Sequence, residues 1–162
     1  MSGNSPRKTS LAIATLLAIA LLPHLAFAHC QVPCGIYDDA ARFDRMYEDA
    51  ATIEKAMVQM QDLAGKNDAQ SANQLTRWII TKEAHASNII STVSEYFLTQ
   101  KVKPVAADDE GHAAFLLKLE DHHRVLNAAM KAKQKSDPEV VAALCAALDQ
   151  MGKHYDLIHS HE

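Results

Sequence analysis

Residues that interrupt helices are scarce in this sequence. Glycine and proline occur five times each among 162 residues, which excludes a disordered or loop-dominated chain. No stretch alternates apolar and polar residues in the way that a half-buried strand does. The length suggests one domain, and the lack of helix breakers and strand patterns indicates that this domain is all-α.

The sequence also contains few cysteines and carries no net positive charge. The three cysteines are an odd number, and two of them lie within five residues of each other, which argues against a disulfide scaffold. The formal net charge is −4, so nucleic acids and anionic membrane surfaces are poor candidates as partners. We therefore expect no nucleic-acid partner.

The first 28 residues have the pattern of a cleaved export signal. Two basic residues open the segment, an apolar run covers 11–22, and Ala26 and Ala28 supply the small residues that a signal peptidase accepts. The run is shorter than the roughly 20 residues that a membrane-spanning helix needs. Cleavage removes two cations and no acid, which takes the net charge from −4 to −6. We expect an exported mature chain, 29–162, in the periplasm or outside the cell and free of the membrane.

A cluster of metal-ligand residues follows the predicted cleavage point. The segment 29–37 reads His-Cys-Gln-Val-Pro-Cys-Gly-Ile-Tyr and holds one imidazole and two thiols. This combination suits a soft or borderline transition metal. Cleavage after Ala28 makes His29 the N-terminus, so its α-amine joins the imidazole, the Cys30 amide and the Cys30 and Cys34 sulfurs as potential ligands. The sequence predicts an irregular N-terminal metal-binding loop.

The remainder, 38–162, reads as an antiparallel up-and-down four-helix bundle. Apolar residues recur at spacings of three and four in four stretches joined by mostly short connections. The expected helices cover about 39–64, 69–98, 109–134 and 138–160. The positions predicted to face the core are Phe43, Met46, Ala50, Ile53, Met57, Met60 and Ala64; Leu75, Ile79, Lys82, Ala86, Ile89, Val93 and Tyr96; Leu116, Leu119, His123, Leu126 and Met130; and Val141, Leu144, Leu148, Met151, Tyr155 and Ile158.

Some apolar residues lie off these four seams. We interpret them as second core faces or subunit contacts, and they are Trp78, Ile80, Ile90, Phe97 and Phe115. The remaining cysteine, Cys145, lies in an alanine-rich helical turn of the predicted fourth helix. It is expected to be a small buried hydrophobic residue.

The motif His-Cys-x-x-Pro-Cys-Gly-x-Tyr resembles the N-terminal nickel-binding loop of nickel-containing superoxide dismutases. Leu75-Thr76-Arg77 and Lys82-Glu83 also resemble that family's second helix. The resemblance implies disproportionation of superoxide to dioxygen and hydrogen peroxide at a mononuclear Ni(II)/Ni(III) site, with one nickel ion per subunit. It also implies a homohexamer and removal of a leader, here by signal peptidase. The matching loop positions are His29, Cys30, Pro33, Cys34, Gly35 and Tyr37.

The resemblance also assigns roles to the loop residues. It makes His29, Cys30 and Cys34 the metal ligands, with the His29 amine and the Cys30 amide completing a plane of two nitrogens and two sulfurs. Such a plane suits nickel(II) or copper(II) and not tetrahedral zinc. The His29 imidazole would bind axially to the oxidised metal. Tyr37 would order water or superoxide without being a ligand.

In the family, acidic and basic groups hold the axial imidazole in place. The nearest matches here are Asp44, one residue from the expected glutamate, and His85, where the family has an arginine. Gln31 stands where some relatives have an aspartate. These differences concern the tuning of the axial histidine and leave the metal assignment unchanged.

Three other interpretations remain. The first is an exported, non-enzymatic nickel- or copper-binding protein that uses the same loop, and the second is a simple disulfide between Cys30 and Cys34. The third is a di-iron bundle, which needs two Glu-x-x-His motifs and two further glutamates. Only one such motif, Glu120 to His123, occurs. Tyr37 and the full-length bundle favour the enzyme.

Overall fold

The computed structural model describes residues 37–157, and no strand occurs among them. The elements are α1, Asp39–Leu63; α2, Ala69–Ser91; a π-helix, Thr92–Lys101; α3, His112–Gln134; α4, Glu139–Gly152; and a 3₁₀ turn, Lys153–Tyr155. Helix α1 packs against α2 and α4, and α3 packs against the same two helices. This closed arrangement confirms the predicted four-helix bundle.

The ends of the first two helices follow from local sequence. Asp38 precedes α1, and its carboxylate accepts a hydrogen bond from the Ala40 amide. Asp68 precedes α2 and accepts from the Ser71 amide. Both carboxylates therefore satisfy amides that the first helical turn leaves unpaired. Gly65 turns the chain between the helices with φ of 80°, a conformation that glycine adopts at no steric cost.

Most of the predicted core is confirmed for α1, α2 and α4. The buried seam residues are Phe43, Met46, Ala50, Ile53 and Met57; Lys82, Ala86, Ile89, Val93 and Tyr96; and Val141, Leu144, Leu148 and Met151. Ile79 and Ala64 were wrongly placed in the core, because Ile79 is 39% exposed and Ala64 is also exposed. Ile158, another predicted core residue, lies outside the described residues. In the described part of the chain, no helix has the length and apolar character that a membrane span requires.

Most of the predicted seam of α3 is wrong, although Leu126 is partly buried and packs against the core. Leu116 and Met130 are 50% and 44% exposed, and His123 is also exposed. The buried face is shifted from the predicted seam by about one residue along the sequence. It consists of Asp121, His122, Val125, Ala129 and Ala132. An apolar-spacing pattern cannot recognise this face, because its two polar residues are buried with partners from the chain that follows α4.

Those partners reduce the cost of burying the two polar groups. Asp121 Oδ2 lies 2.7 Å from His154 Nε2, and His122 Nε2 lies 2.8 Å from the Tyr155 hydroxyl. Burial lowers the pKa of His122. The rotation of α3 is therefore set by polar pairing as well as by apolar burial.

The off-seam apolar residues separate into core and surface. Phe97 is fully buried and Ile90 packs against the core, whereas Ile80 is 62% exposed. Trp78 and Phe115 are half-buried. Cys145 is half-buried against the core, where burial raises the pKa of its thiol, in agreement with its predicted role as a small hydrophobic residue.

A buried lysine joins α2 to the end of α3. Lys82 Nζ lies 2.9 Å from the Ala132 carbonyl oxygen and also donates to the Lys133 carbonyl. Glu83 accepts a third hydrogen bond at 2.9 Å. The last carbonyls of a helix have no partner within the helix, so the ammonium satisfies groups that would otherwise be unpaired.

Replacing this ammonium should destabilise the bundle. We expect Lys82→Met to lower the free energy of unfolding by about 2–4 kcal/mol, because it removes charge-assisted hydrogen bonds and leaves buried carbonyls unpaired. Urea unfolding followed by circular dichroism measures the change. Lys55→Met, at an exposed position of α1, is the control and should stay within about 0.5 kcal/mol. Equal effects of the two substitutions would contradict this role of Lys82.

Candidate functional site

The predicted ligands His29, Cys30 and Cys34 and the predicted leader lie outside the described residues, 37–157. The structure begins at Tyr37, the last position of the motif. Within the described part, no three His, Cys, Asp or Glu side chains lie close enough together to hold a metal ion. The bundle side of the candidate site begins at Tyr37.

The Tyr37 ring has protein groups on two sides. The Arg42 guanidinium carbon, from the start of α1, lies 4.3 Å from the centre of the ring, a cation–π distance. The Tyr96 ring, from the π-helix, lies 5.9 Å away with its plane tilted by 43°. Tyr37 is 39% exposed, so solvent and small solutes can reach it.

A hydrogen-bond network fixes the backbone at Tyr37. The Tyr96 hydroxyl donates to Asp39 Oδ1 at 2.5 Å and lies 3.2 Å from the Tyr37 carbonyl oxygen. Lys101 Nζ lies 3.0 Å from the same Asp39 oxygen. Burial and the Asp39 carboxylate raise the pKa of Tyr96, and the hydrogen bond to Asp39 raises the pKa of Lys101. The point where the loop joins the bundle is therefore held by both a phenol and an ion pair.

The π-helix brings two of these groups together. Tyr96 and Lys101 are five residues apart and both contact Asp39. In an α-helix, residues five apart point about 140° away from each other, whereas the i→i+5 turns of a π-helix bring them to one side. π-Helical turns often occur at functional sites. Sequence reasoning placed Tyr96 only in the core and Lys101 in a connection, because no spacing rule signalled this change of winding.

A small hollow lies beside Tyr37. Its volume is about 150 Å³, and its lining residues are Tyr37, Arg42, Ser91, Thr92, Glu95 and Tyr96. A larger groove of about 680 Å³ lies between α3 and α4 and contains none of the predicted site residues. We place the candidate site at the small hollow, because Tyr37, the last residue of the metal-binding motif, lines it.

The predicted partners of the axial histidine occupy different surroundings. His85 Nδ1 lies 2.5 Å from Asp49 Oδ1, and Asn88 Nδ2 lies 3.4 Å from the same oxygen. Asp44 lies on the exposed side of α1. Sequence reasoning missed Asp49, a buried carboxylate within the apolar seam of α1. The predicted contacts of Asp44 and His85 with His29 remain predictions, because His29 is outside the described residues.

Comparison with known proteins gives one match. A family model described as nickel-containing superoxide dismutase matches residues 24–157. The matched range includes the whole motif 29–37 and all four helices. No curated protein matches the chain, and no solved structure matches it.

Proposed function

The chain belongs to the nickel-containing superoxide dismutase family, and from that premise we propose that its nickel is bound by the processed N-terminal loop. The enzyme is a nickel-dependent oxidoreductase that acts on superoxide. One observation carries the proposal: His29 directly follows a predicted cleavage site and opens a motif that also contains Cys30 and Cys34. Cleavage after Ala28 therefore creates an amine donor beside an imidazole and two thiols.

The donor set fits nickel by its chemistry. Thiolates from Cys30 and Cys34, the His29 amine and the deprotonated Cys30 amide would hold the metal through two sulfurs and two nitrogens, a donor set that suits nickel(II). Bound there, one nickel ion per subunit would supply a one-electron couple, since thiolate donation makes the oxidised ion accessible. The His29 imidazole would be a further nitrogen donor.

The residues around Tyr37 have different roles in the proposed reaction. Disproportionation converts two superoxide ions and two protons into dioxygen and hydrogen peroxide. The Tyr37 phenol donates a hydrogen bond to water or superoxide near the loop. The Tyr96 hydroxyl, which donates to Asp39, lies next to the Tyr37 carbonyl oxygen, and Arg42 covers one face of the Tyr37 ring. Partial exposure of Tyr37 gives solvent protons access to this region.

Superoxide removal by nickel-loaded protein beginning at His29 tests the proposal. We expect catalysed decay of superoxide, and a Tyr37→Phe variant about five-fold slower, the equivalent of one hydrogen bond of about 1 kcal/mol. Tyr47→Phe is the control, because its hydroxyl bonds to Asp149 instead, and it should keep the parent rate. The alternative, a non-enzymatic exported nickel- or copper-binding protein, requires nickel uptake with decay at the uncatalysed rate.

We also propose that the exported enzyme is a homohexamer, formed in the periplasm or outside the cell after signal peptidase removes 1–28. Several apolar side chains are exposed on the bundle surface and can be buried in contacts between subunits. They are Ile79, Ile80, Leu116, Leu117 and Met130, each at least 39% exposed. Light scattering on nickel-loaded protein should give six times the subunit mass. A monomeric mass would contradict this assembly.

A further inference from the structure

We propose that the hollow beside Tyr37 is an access site for small monoanions, in which Arg42 supplies the attracting charge. The inference rests on the proposed function, because it makes superoxide the anion that the site serves. Arg42 lies in the first turns of α1, five residues after Tyr37, and both residues line the hollow. The proposal adds a substrate-recruiting residue outside the predicted ligand set.

The guanidinium of Arg42 has an unused donor. Its Nε atom is buried, and it has no hydrogen-bond partner in the part of the chain that the structure describes. A buried N–H without a partner carries a free-energy cost of about 1–3 kcal/mol. An anion in the hollow would be attracted by the charge of the guanidinium and by its planar fork of donors. One face of the guanidinium is covered by the Tyr37 ring.

The other walls of the hollow also suit a small anion. Ser91 and Thr92 bring hydroxyl-bearing side chains from the junction of α2 and the π-helix, and Tyr37 brings a phenol. A volume of about 150 Å³ exceeds the roughly 30 Å³ that one water molecule takes up in the liquid. A diatomic anion therefore fits together with part of its hydration.

The charge of the whole chain makes a local cation useful. The net charge is −4, and −6 without the predicted leader, so the average field of the protein repels superoxide. A cation at the opening counters this field locally and raises the rate of encounter. Glu95 lines the same hollow and opposes Arg42, so removing each of the two charges should have opposite effects.

The kinetic test uses nickel-loaded protein that begins at His29. Arg42→Gln should lower the second-order rate constant for superoxide by about 3- to 10-fold at low ionic strength, and the difference should shrink as salt screens the charge. Arg42→Lys should recover most of the rate and of its salt dependence, whereas Glu95→Gln should raise the rate. Lys55→Gln is the control, because it removes one positive charge about 20 Å further along α1. It should change neither the rate constant nor its dependence on salt.

A binding measurement gives a second readout. Nitrate, a small monoanion, is titrated into the same protein while the Arg42 Nε–H signal is followed by NMR. We expect a saturable shift, with tighter binding in Glu95→Gln than in the parent. The absence of a saturable shift would overturn the anion site.

The two proposals fail in different ways. A parent protein that binds nickel and nitrate but does not remove superoxide would overturn the proposed function. An active parent whose Arg42→Gln variant keeps the rate and salt dependence of Lys55→Gln would overturn only the access site.

Discussion

A single alanine added before His29 should abolish superoxide disproportionation by the nickel-loaded protein. The addition converts the His29 amine into an amide, a far poorer donor, and places a residue where the metal is expected to bind. We expect a loss greater than about 100-fold, because changing groups that only support metal ligands already costs about 10- to 100-fold. Export processing would then also activate the enzyme.

Three forms are compared for this prediction: protein beginning at His29, the alanine-extended form and the uncleaved precursor. Mass spectrometry confirms each N-terminus, and only the first form should be active. An alanine added after Glu162 is the matched control, since it lengthens the chain equally and leaves the His29 amine intact. Equal activity of the two extended forms would contradict the amine ligand.

Replacing either loop cysteine should lower superoxide disproportionation as much as the added alanine does. Cys30→Ser and Cys34→Ser each remove a thiolate, and a serine hydroxyl neither ionises near neutral pH nor donates electron density like sulfur. Activity should fall to the uncatalysed rate in both variants. His29→Gln should retain nickel, because the amine and the Cys30 amide remain, but should lose most turnover.

The third cysteine provides the control for these substitutions. Cys145 is half-buried against the core of the bundle, so Cys145→Ser should leave activity near that of the parent. Near-normal activity in either loop variant would exclude the proposed set of metal ligands. A disulfide between Cys30 and Cys34 without nickel uptake would favour the structural interpretation of the motif.

Periodicity predicts this fold well where burial follows apolar character. In α1, Phe43 and Ile53 are fully buried as predicted, because three-and-four spacing places them on one side of a helix. In α3 the same rule fails, since Asp121 and His122 occupy the core through pairs with His154 and Tyr155. A pattern of apolar residues carries no information about such long-range pairs.

In the candidate site, too, some residues can be predicted from the sequence and others cannot. The motif 29–37 can be read directly, because its donors are adjacent in sequence. The groups that hold Tyr37 cannot be read in this way: Asp39, Tyr96 and Lys101 meet only because a π-helix continues α2. Spacing rules based on α-helices place Lys101 on a different side, so the network becomes visible only in three dimensions.

The most direct test of the proposed metal site is nickel X-ray absorption on purified protein that begins at His29. The proposal predicts two sulfur scatterers, from Cys30 and Cys34, together with nitrogen donors around one nickel ion per subunit. The alanine-extended form should lose this pattern, whereas Cys145→Ser should keep it. Coordination by nitrogen and oxygen alone would contradict the proposal that the processed N-terminus binds the metal.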